Sequence, residues 1–179
     1  MQFEITFAAM MAFITLVWIA VRVAVCLRAG RVSWKREAQL LLVYVCLVVV
    51  ARFVFFPFSL VDGQVQPLPF DAARILPFWL NLEPLVHLFD YEVRSEAWIN
   101  LIGNTAMFVP VGVIWPAVFK ELRAPLAALA AGAGFSLLIE LVQLPFYDRA
   151  TDIDDLLLNT LGFAIGYALY ALAARLRRR

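Results

Sequence analysis

The sequence predicts an all-α, polytopic membrane helix bundle of about five transmembrane helices, with its N-terminus outside and its C-terminus inside. Three observations carry that prediction. The chain has 179 residues, of which 64% are hydrophobic and 16% charged, against about half apolar and a quarter charged in soluble domains. Five apolar stretches each reach the roughly 20 residues that a helix needs to cross a hydrocarbon core of about 30 Å. The basic residues gather on alternate connections, with the bias that positive-inside insertion requires. A chain this short has no soluble bulk in which to hide five such helices. That excludes a secreted disulfide scaffold, a cytosolic nucleotide-binding domain and a DNA-binding module.

The first span runs from Glu4 to Leu27. Met1-Gln2-Phe3-Glu4 carries no positive charge, while Arg28, Arg31, Lys35 and Arg36 follow the apolar run. It therefore reads as a retained helix and not as a cleaved signal peptide. Arg22, about 8 Å from the inner helix end, is placed to snorkel into the headgroups. The second span runs from Ala38 to Val61. Cys26 and Cys46 both lie within spans, which points to packing in place of a disulfide.

Residues 62–96 form one long external connection. Ile75–Leu80 and Leu85–Phe89 are apolar islands among acids and prolines, the pattern of an interfacial segment with one or two short helices, where a disordered loop would lack such aromatics. His87, the only histidine, falls here and reads as an interfacial polar tip, because no second His or free Cys accompanies it. The remaining spans run from Ala97 to Phe119, Ala124 to Phe146 and Ile153 to Ala174. Trp34, Trp79, Trp98 and Trp115 fall near the predicted interfaces, as an aromatic belt does.

On this topology the inner side holds eleven of the 15 basic residues against two acids, Glu37 and Glu121; the outer side holds the other four bases and twelve acids. The terminal Arg175-Leu176-Arg177-Arg178-Arg179 suits anionic lipid on the cytoplasmic face and is a poor nucleic-acid site. Residues 1–179 read as a single membrane domain of a multi-pass cell-membrane protein.

The informative residues are those that lipid disfavours. Arg52 lies in the second span, Asn100 and Asn104 in the third, and Glu140 and Gln143 in the fourth. Arg149 precedes the fifth, which opens with Asp152, Asp154, Asp155 and Asn159. Measured from the outer helix ends, Arg52 lies about 13 Å deep, Asn104 about 10 Å, and Glu140 and Asn159 about 9 Å. Independent accidents would scatter in depth; these share one outer-leaflet layer.

Spacing gives them a common direction. Asn100 and Asn104 are i, i+4, Glu140 and Gln143 are i, i+3, and Asp152, Asp155 and Asn159 step by three and four. The stripe continues through Gly162 and Gly166, a small-xxx-small pair, and Gly132, Ser136 and Glu140 form its counterpart in the fourth span. A charged side chain at the bilayer centre costs about 3 kcal/mol, and an unpaired buried ion costs more. Arg52 therefore calls for a carboxylate, and Glu140 is the best match by depth. The bland alternative is a buried pair that fixes helix register, with the asparagines as interhelical glue. Surplus favours a site: two arginines, several carboxylates and three amides exceed what one staple needs.

These residues carry a pattern. Gly103-Asn104-Thr105-Ala106-Met107-Phe108-Val109-Pro110-Val111-Gly112 resembles the G-N-x-x-x-F-x-P-x-G helix of the VanZ-like family. Gly134-Phe135-Ser136 through Glu140 to Gln143 resembles its G-F-x-x-S-x-x-x-E-x-x-Q stretch with small shifts. Arg149, Asp152, Asp155, Asn159-Thr160, Gly162 and Gly166 match its terminal block. The resemblance covers about residues 40–172. One departure lies in the external loop, where the family's Asn-Leu-x-Pro-Phe is here Asn81-Leu82-Glu83-Pro84-Leu85. The family is named for a protein conferring resistance to the glycopeptide teicoplanin. The resemblance implies a membrane location and a role in the envelope or antibiotic response, without supplying a reaction.

Three functions compete. A non-enzymatic binding module would hold an envelope lipid, a lipid-linked cell-wall headgroup or a glycopeptide. Arg52 and Arg149 would meet phosphate or carboxylate, Asn100, Asn104 and Asn159 would supply amide contacts, and the carboxylates would orient the arginines or accept an ammonium. An intramembrane enzyme would use Glu140 as acid or base. However, no Ser-His or Cys-His pair, His-rich motif or phosphate-cradling glycine loop is present. Asp152, Asp154 and Asp155 read as a helix start favoured by the N-terminal dipole before they read as a metal site, so no metal or cofactor is expected. A transporter would need dimerisation to enclose a pathway, and the inner half has no matching polar cluster. The binding module is the reading the residues favour.

Overall fold

The computed structural model describes residues 2–56, 60–75, 80–81, 94–146 and 151–177. Thr6 opens the first helix: its backbone is extended and its hydroxyl accepts from the Ala9 N–H at 3.2 Å. That satisfies one of the donors a helix N-terminus leaves over. Helix α1 then spans Phe7–Ala29, and Gly30 ends it at φ 62°, the left-handed conformation that glycine adopts without a Cβ penalty. The other helices are α2 (Trp34–Phe55), α3 (Arg94–Val118), α4 (Pro125–Gln143) and α5 (Ile153–Leu176). Pro125 begins α4, where its missing N–H removes no helical bond. All five helices are long and apolar enough to cross a membrane, which agrees with the all-α polytopic bundle expected.

The boundaries differ at one end of the bundle. Residues Gln2–Ile5, of which Glu4 and Ile5 were expected to open the first helix, form strand β1 and pair antiparallel with β2, Leu68–Asp71, in the register Gln2↔Asp71 to Ile5↔Leu68. Helix α2 stops at Phe55, well short of Val61. A tight turn follows in which Val61 and Gln64 exchange N–H···O bonds of 3.1 and 2.9 Å, with Asp62 and Gly63 at φ 51° and 73°. Asp-Gly is the pair that such a turn favours.

The described part of the connection is turn and strand, with one short 3-10 helix at Ala72–Ile75; the apolar islands in which short interfacial helices were expected lie largely outside the described residues. Pro67 and Pro69 each lack the N–H that a helix interior needs, so the segment takes its backbone bonds from β1 and from Pro145, whose carbonyl accepts from Asp71 N at 2.8 Å. Strand β3 (Leu80–Asn81) pairs in parallel with β4 (Thr151–Asp152). Trp79, His87 and the Leu85–Phe89 island lie outside the described residues.

Glycines set the tightest helix contact. A Cβ on Gly162 would overlap the Thr105 carbonyl, one on Gly166 the Val109 carbonyl, and one on Gly112 the Phe163 carbonyl. Helices α3 and α5 therefore run side by side in the same direction, backbone against backbone, as a small-residue stripe permits. Phe163, fully buried, fills the notch left by Gly132 and so seats α4 on the same helix. Trp115, near the end of α3, packs in the bundle, its ring 5.1 Å from Phe135 and edge-on to Phe163 at 5.9 Å. Helix α1 contributes no buried residue. Phe7, Met10, Met11 and Ile14 lean on the core, and Thr15 shares a 2.7 Å hydroxyl bond with Tyr44. Leu126, Leu137, Leu138 and Leu141 on α4 and Leu157, Leu161 and Leu169 on α5 are exposed, as an acyl-facing surface requires.

The end opposite the strands is basic. Arg22 does not simply snorkel: Nε and Nη2 donate to the two Glu37 carboxylate oxygens at 2.8 and 2.6 Å, a fork that joins α1 to α2. Arg36 Nη1 donates to Val118 O at 2.6 Å, its guanidinium 5.3 Å from the Phe119 ring. Tyr167 Oη donates to Arg123 O at 2.8 Å.

Candidate functional site

At the strand-bearing end, polar side chains from α3, α4 and α5 meet. Helical side chains tilt toward the N-terminus, so Asn104 reaches past the glycine contact to the turn of α5 that precedes it. There its Nδ2 donates to Asp155 Oδ1 at 2.5 Å. Glu140, on the last turns of α4, is 3% exposed, and its Oε2 accepts from the Asp152 N–H at 3.1 Å. Asp152 in turn caps α5, its Oδ1 accepting from the Asp154 N–H at 2.9 Å. One turn deeper, Asn159 Nδ2 donates to the fully buried Ser136 hydroxyl at 3.0 Å. Glu140 and Ser136 lie four apart on α4, and Asp155 and Asn159 four apart on α5, so the same two helix faces supply both levels.

Carboxylates gather at the start of α5 because a helix N-terminus presents unpaired N–H groups and the positive end of its dipole. Glu140 answers the same field from across the interface. Among the described residues, no group of three or more His, Cys, Asp or Glu side chains is placed to hold a metal ion. The arrangement is one of hydrogen-bonded carboxylates and amides, some half-buried (Asn104, Asp152, Asp155) and some fully buried behind them (Glu140, Asp154, Asn159).

Two expected members sit elsewhere in detail. Gln143 turns toward α2, where its Nε2 donates to Val54 O at 3.2 Å. Arg52 and Glu140 were expected to pair, but the structure gives them different partners. Arg52 Nη1 donates to Phe56 O at 3.2 Å, and its guanidinium stands 5.7 Å from the Phe7 ring and 5.6 Å from the Phe53 ring. The physical reason is the early end of α2. With Phe55 as the last helical residue, Arg52 lies about 5 Å from the helix end, where open carbonyls and the negative end of the dipole attract a cation. Arg149 and the side chain of Asn100 lie outside the described residues.

Sequence reasoning placed Ser136 in a packing stripe but not as the partner of Asn159, although its spacing from Glu140 marked the correct face. It missed Arg74, whose Nη1 donates to Phe146 O at 2.7 Å and ties the β2 segment to the end of α4. No periodic signal marks a contact made through a short loop strand.

The family model described as VanZ/LLP1 matches residues 41–174, a stretch that contains every described residue of this cluster. The chain belongs to the VanZ/LLP1 family. It is 37% identical over 94 residues to Protein VanZ of Enterococcus faecium, a match that covers 52% of this chain and 53% of that protein. The chain therefore spans about half the length of the curated VanZ it matches. No solved structure gives a significant match. Within this VanZ/LLP1 member, the glycine contacts of α3 with α5 and the Asn104–Asp155 bond both lie inside the family segment. Strand β1 and helix α1 precede it.

Proposed function

We propose that this chain is a non-enzymatic binding protein of the cell membrane. Its polar cluster would receive the head of an envelope lipid, a lipid-linked cell-wall precursor or a glycopeptide, and so act in the envelope or antibiotic response. The observation that carries this reading is the Asn104–Asp155 and Glu140–Asp152 pairing among α3, α4 and the start of α5. Three helices bury polar groups there, and intramembrane ionisable residues by default mark function. Charge bias supports this end lying outside, facing the wall and its precursors. Arg52, clamped at the end of α2 beside two aromatic rings, is positioned to meet a headgroup phosphate. Membership of the VanZ/LLP1 family supports the role in the antibiotic response.

The test is recovery of bound amphiphile. Wild-type protein purified in mild detergent should carry a lipid or lipid-linked glycan detectable by native mass spectrometry. Asn104→Ala and Asp155→Ala proteins, inserted to the same level, should lose it at least tenfold. A host expressing wild type should show raised teicoplanin tolerance, and a host expressing either variant should not. Equal ligand recovery and tolerance across all three proteins would remove the reading.

A further inference from the structure

The end of the bundle opposite the polar cluster carries a second arrangement, which the proposed function leaves unused. Arg36, half-buried on the first turn of α2, donates through Nη1 to Val118 O at 2.6 Å, and its guanidinium stands 5.3 Å from the Phe119 ring. A cation suits the open carbonyls that end α3. The contact seats the start of α2 against the short 3-10 helix Lys120–Arg123. Lys35 precedes Arg36 and Lys120 follows Phe119, and both are exposed. Arg123 closes the same 3-10 helix, and its carbonyl accepts from Tyr167 Oη, so α5 holds that helix in turn. Of the two carboxylates at this end, Glu37 has both oxygens engaged by Arg22. Glu121 forms no ion pair among the described residues, and Lys35, Arg36, Lys120 and Arg123 have no carboxylate partner among them either.

Positive-inside insertion explains why bases lie at this end, but it asks only for their number and side. It does not ask for a guanidinium held between a carbonyl and a ring. Gathered cations without a carboxylate repel one another, and an anion relieves that repulsion. We propose that the seam between the start of α2 and the 3-10 helix binds the phosphodiester headgroup of an anionic phospholipid. Arg36 spends Nη1 on Val118 O and keeps its other N–H groups for phosphate oxygens, while Lys35 and Lys120 add charge from the two elements. Apolar neighbours set the class of partner. Trp34, beside Lys35, and Leu126, three positions past Arg123, are each 81% exposed. An exposed Trp at a helix end sits in the membrane interface, so these cations lie at headgroup level, where lipid phosphates are the anions at hand. An acidic peptide arriving from water offers no acyl chain to cover Trp34 and Leu126.

The test compares probes on one protein, so it survives any folding defect of a variant. Full-length wild-type protein in mild detergent is titrated by native mass spectrometry with four probes: short-chain phosphatidylglycerol, short-chain phosphatidylcholine, glycerol phosphate and a tetraglutamate peptide. Phosphatidylglycerol should bind at least tenfold tighter than the other three, because it alone joins a net negative phosphate to acyl chains. Lys35→Gln/Lys120→Gln, altered only at exposed positions, should lose most of the preference over phosphatidylcholine. Arg36→Lys keeps the charge and gives up the planar fork, so it should weaken phosphatidylglycerol severalfold, a loss that diffuse attraction does not produce. Equal affinity for the two lipids overturns the site. So does wild-type preference in the double variant or in Arg36→Lys, which reduces the seam to unspecific charge. Glycerol phosphate or tetraglutamate binding as tightly as phosphatidylglycerol overturns the lipid assignment in favour of a soluble phosphate or an acidic protein.

Discussion

Ser136 and Asn159 make the clearest single-residue argument, because each is almost fully buried and each is the other's hydrogen-bond partner. Removing one leaves the other's polar atoms in an apolar bundle; removing both leaves a shape defect but no stranded donor. Ser136→Ala should therefore lower stability by about 1 kcal/mol, within the range measured for interhelical bonds in membranes. The double variant Ser136→Ala/Asn159→Leu should lose less than the sum of the two singles. Thermal unfolding in detergent, analysed as a double-mutant cycle, checks the coupling. Asp155 offers a different separation. Asp155→Asn keeps an acceptor for Asn104 but removes the charge, so melting should shift little while recovery of the co-purifying amphiphile falls; native mass spectrometry beside melting reads both. At this scale, spacing announced much of the site. The i, i+4 steps on α4 and α5 put Glu140, Ser136, Asp155 and Asn159 on facing surfaces before any coordinates. What spacing could not announce is a bond to backbone. Gln143 to Val54 O, Arg52 to Phe56 O and Arg74 to Phe146 O each depend on where a helix or strand ends.

Among the elements, α3 and α5 form the joint on which the site depends. The carbonyls of Thr105 and Val109 occupy the space that side chains at 162 and 166 would need. Gly162→Leu should push the helices apart, at a cost of about 3 kcal/mol or more given that overpacking runs to 1–3 kcal/mol even where side chains can adjust, and here the obstacle is backbone. The Asn104–Asp155 bond should break with it. Gly134 is the matched control: nothing lies within reach of a Cβ there, so Gly134→Ala should be neutral or stabilise by up to about 1 kcal/mol through helix propensity. Comparing the two melting shifts in one detergent decides the matter. The glycine stripe could be read from Gly162 and Gly166 because small residues at that spacing have one dominant use in membranes. Strand β1 could not. Glu4 and Ile5, at the head of an apolar run, look like its first turn, and the true partner of Gln2–Ile5, Leu68–Asp71, lies more than sixty residues away. Non-local strand pairing leaves no local period, and β1 in turn starts α1 late at Phe7. The same blindness made α2 too long, since Phe55 to Val61 stays apolar after the helix has ended.

For the whole molecule, the charge distribution makes one consequential prediction. Arg22, Arg28, Arg31, Lys35, Arg36, Lys120, Arg123, Arg175 and Arg177 all belong to the end opposite the strands, and basic residues are retained on the cytoplasmic side. Strands β1 and β2, the Asp62-Gly63 turn and the polar cluster should therefore face outward. Single cysteines introduced at Gln64 and Glu121, in a background with Cys26 and Cys46 replaced by Ala, test this directly, because both positions are exposed and lie in opposite connections. A membrane-impermeant maleimide should label the Gln64 position on intact cells and the Glu121 position only after permeabilisation. The orientation carries the ligand with it. An outward cluster draws on outer-leaflet lipid, wall precursors and antibiotics, whereas the reversed pattern would present Glu140 and Asp155 to the cytoplasmic leaflet. In that case no glycopeptide could reach them from the medium, even with every contact in the bundle unchanged.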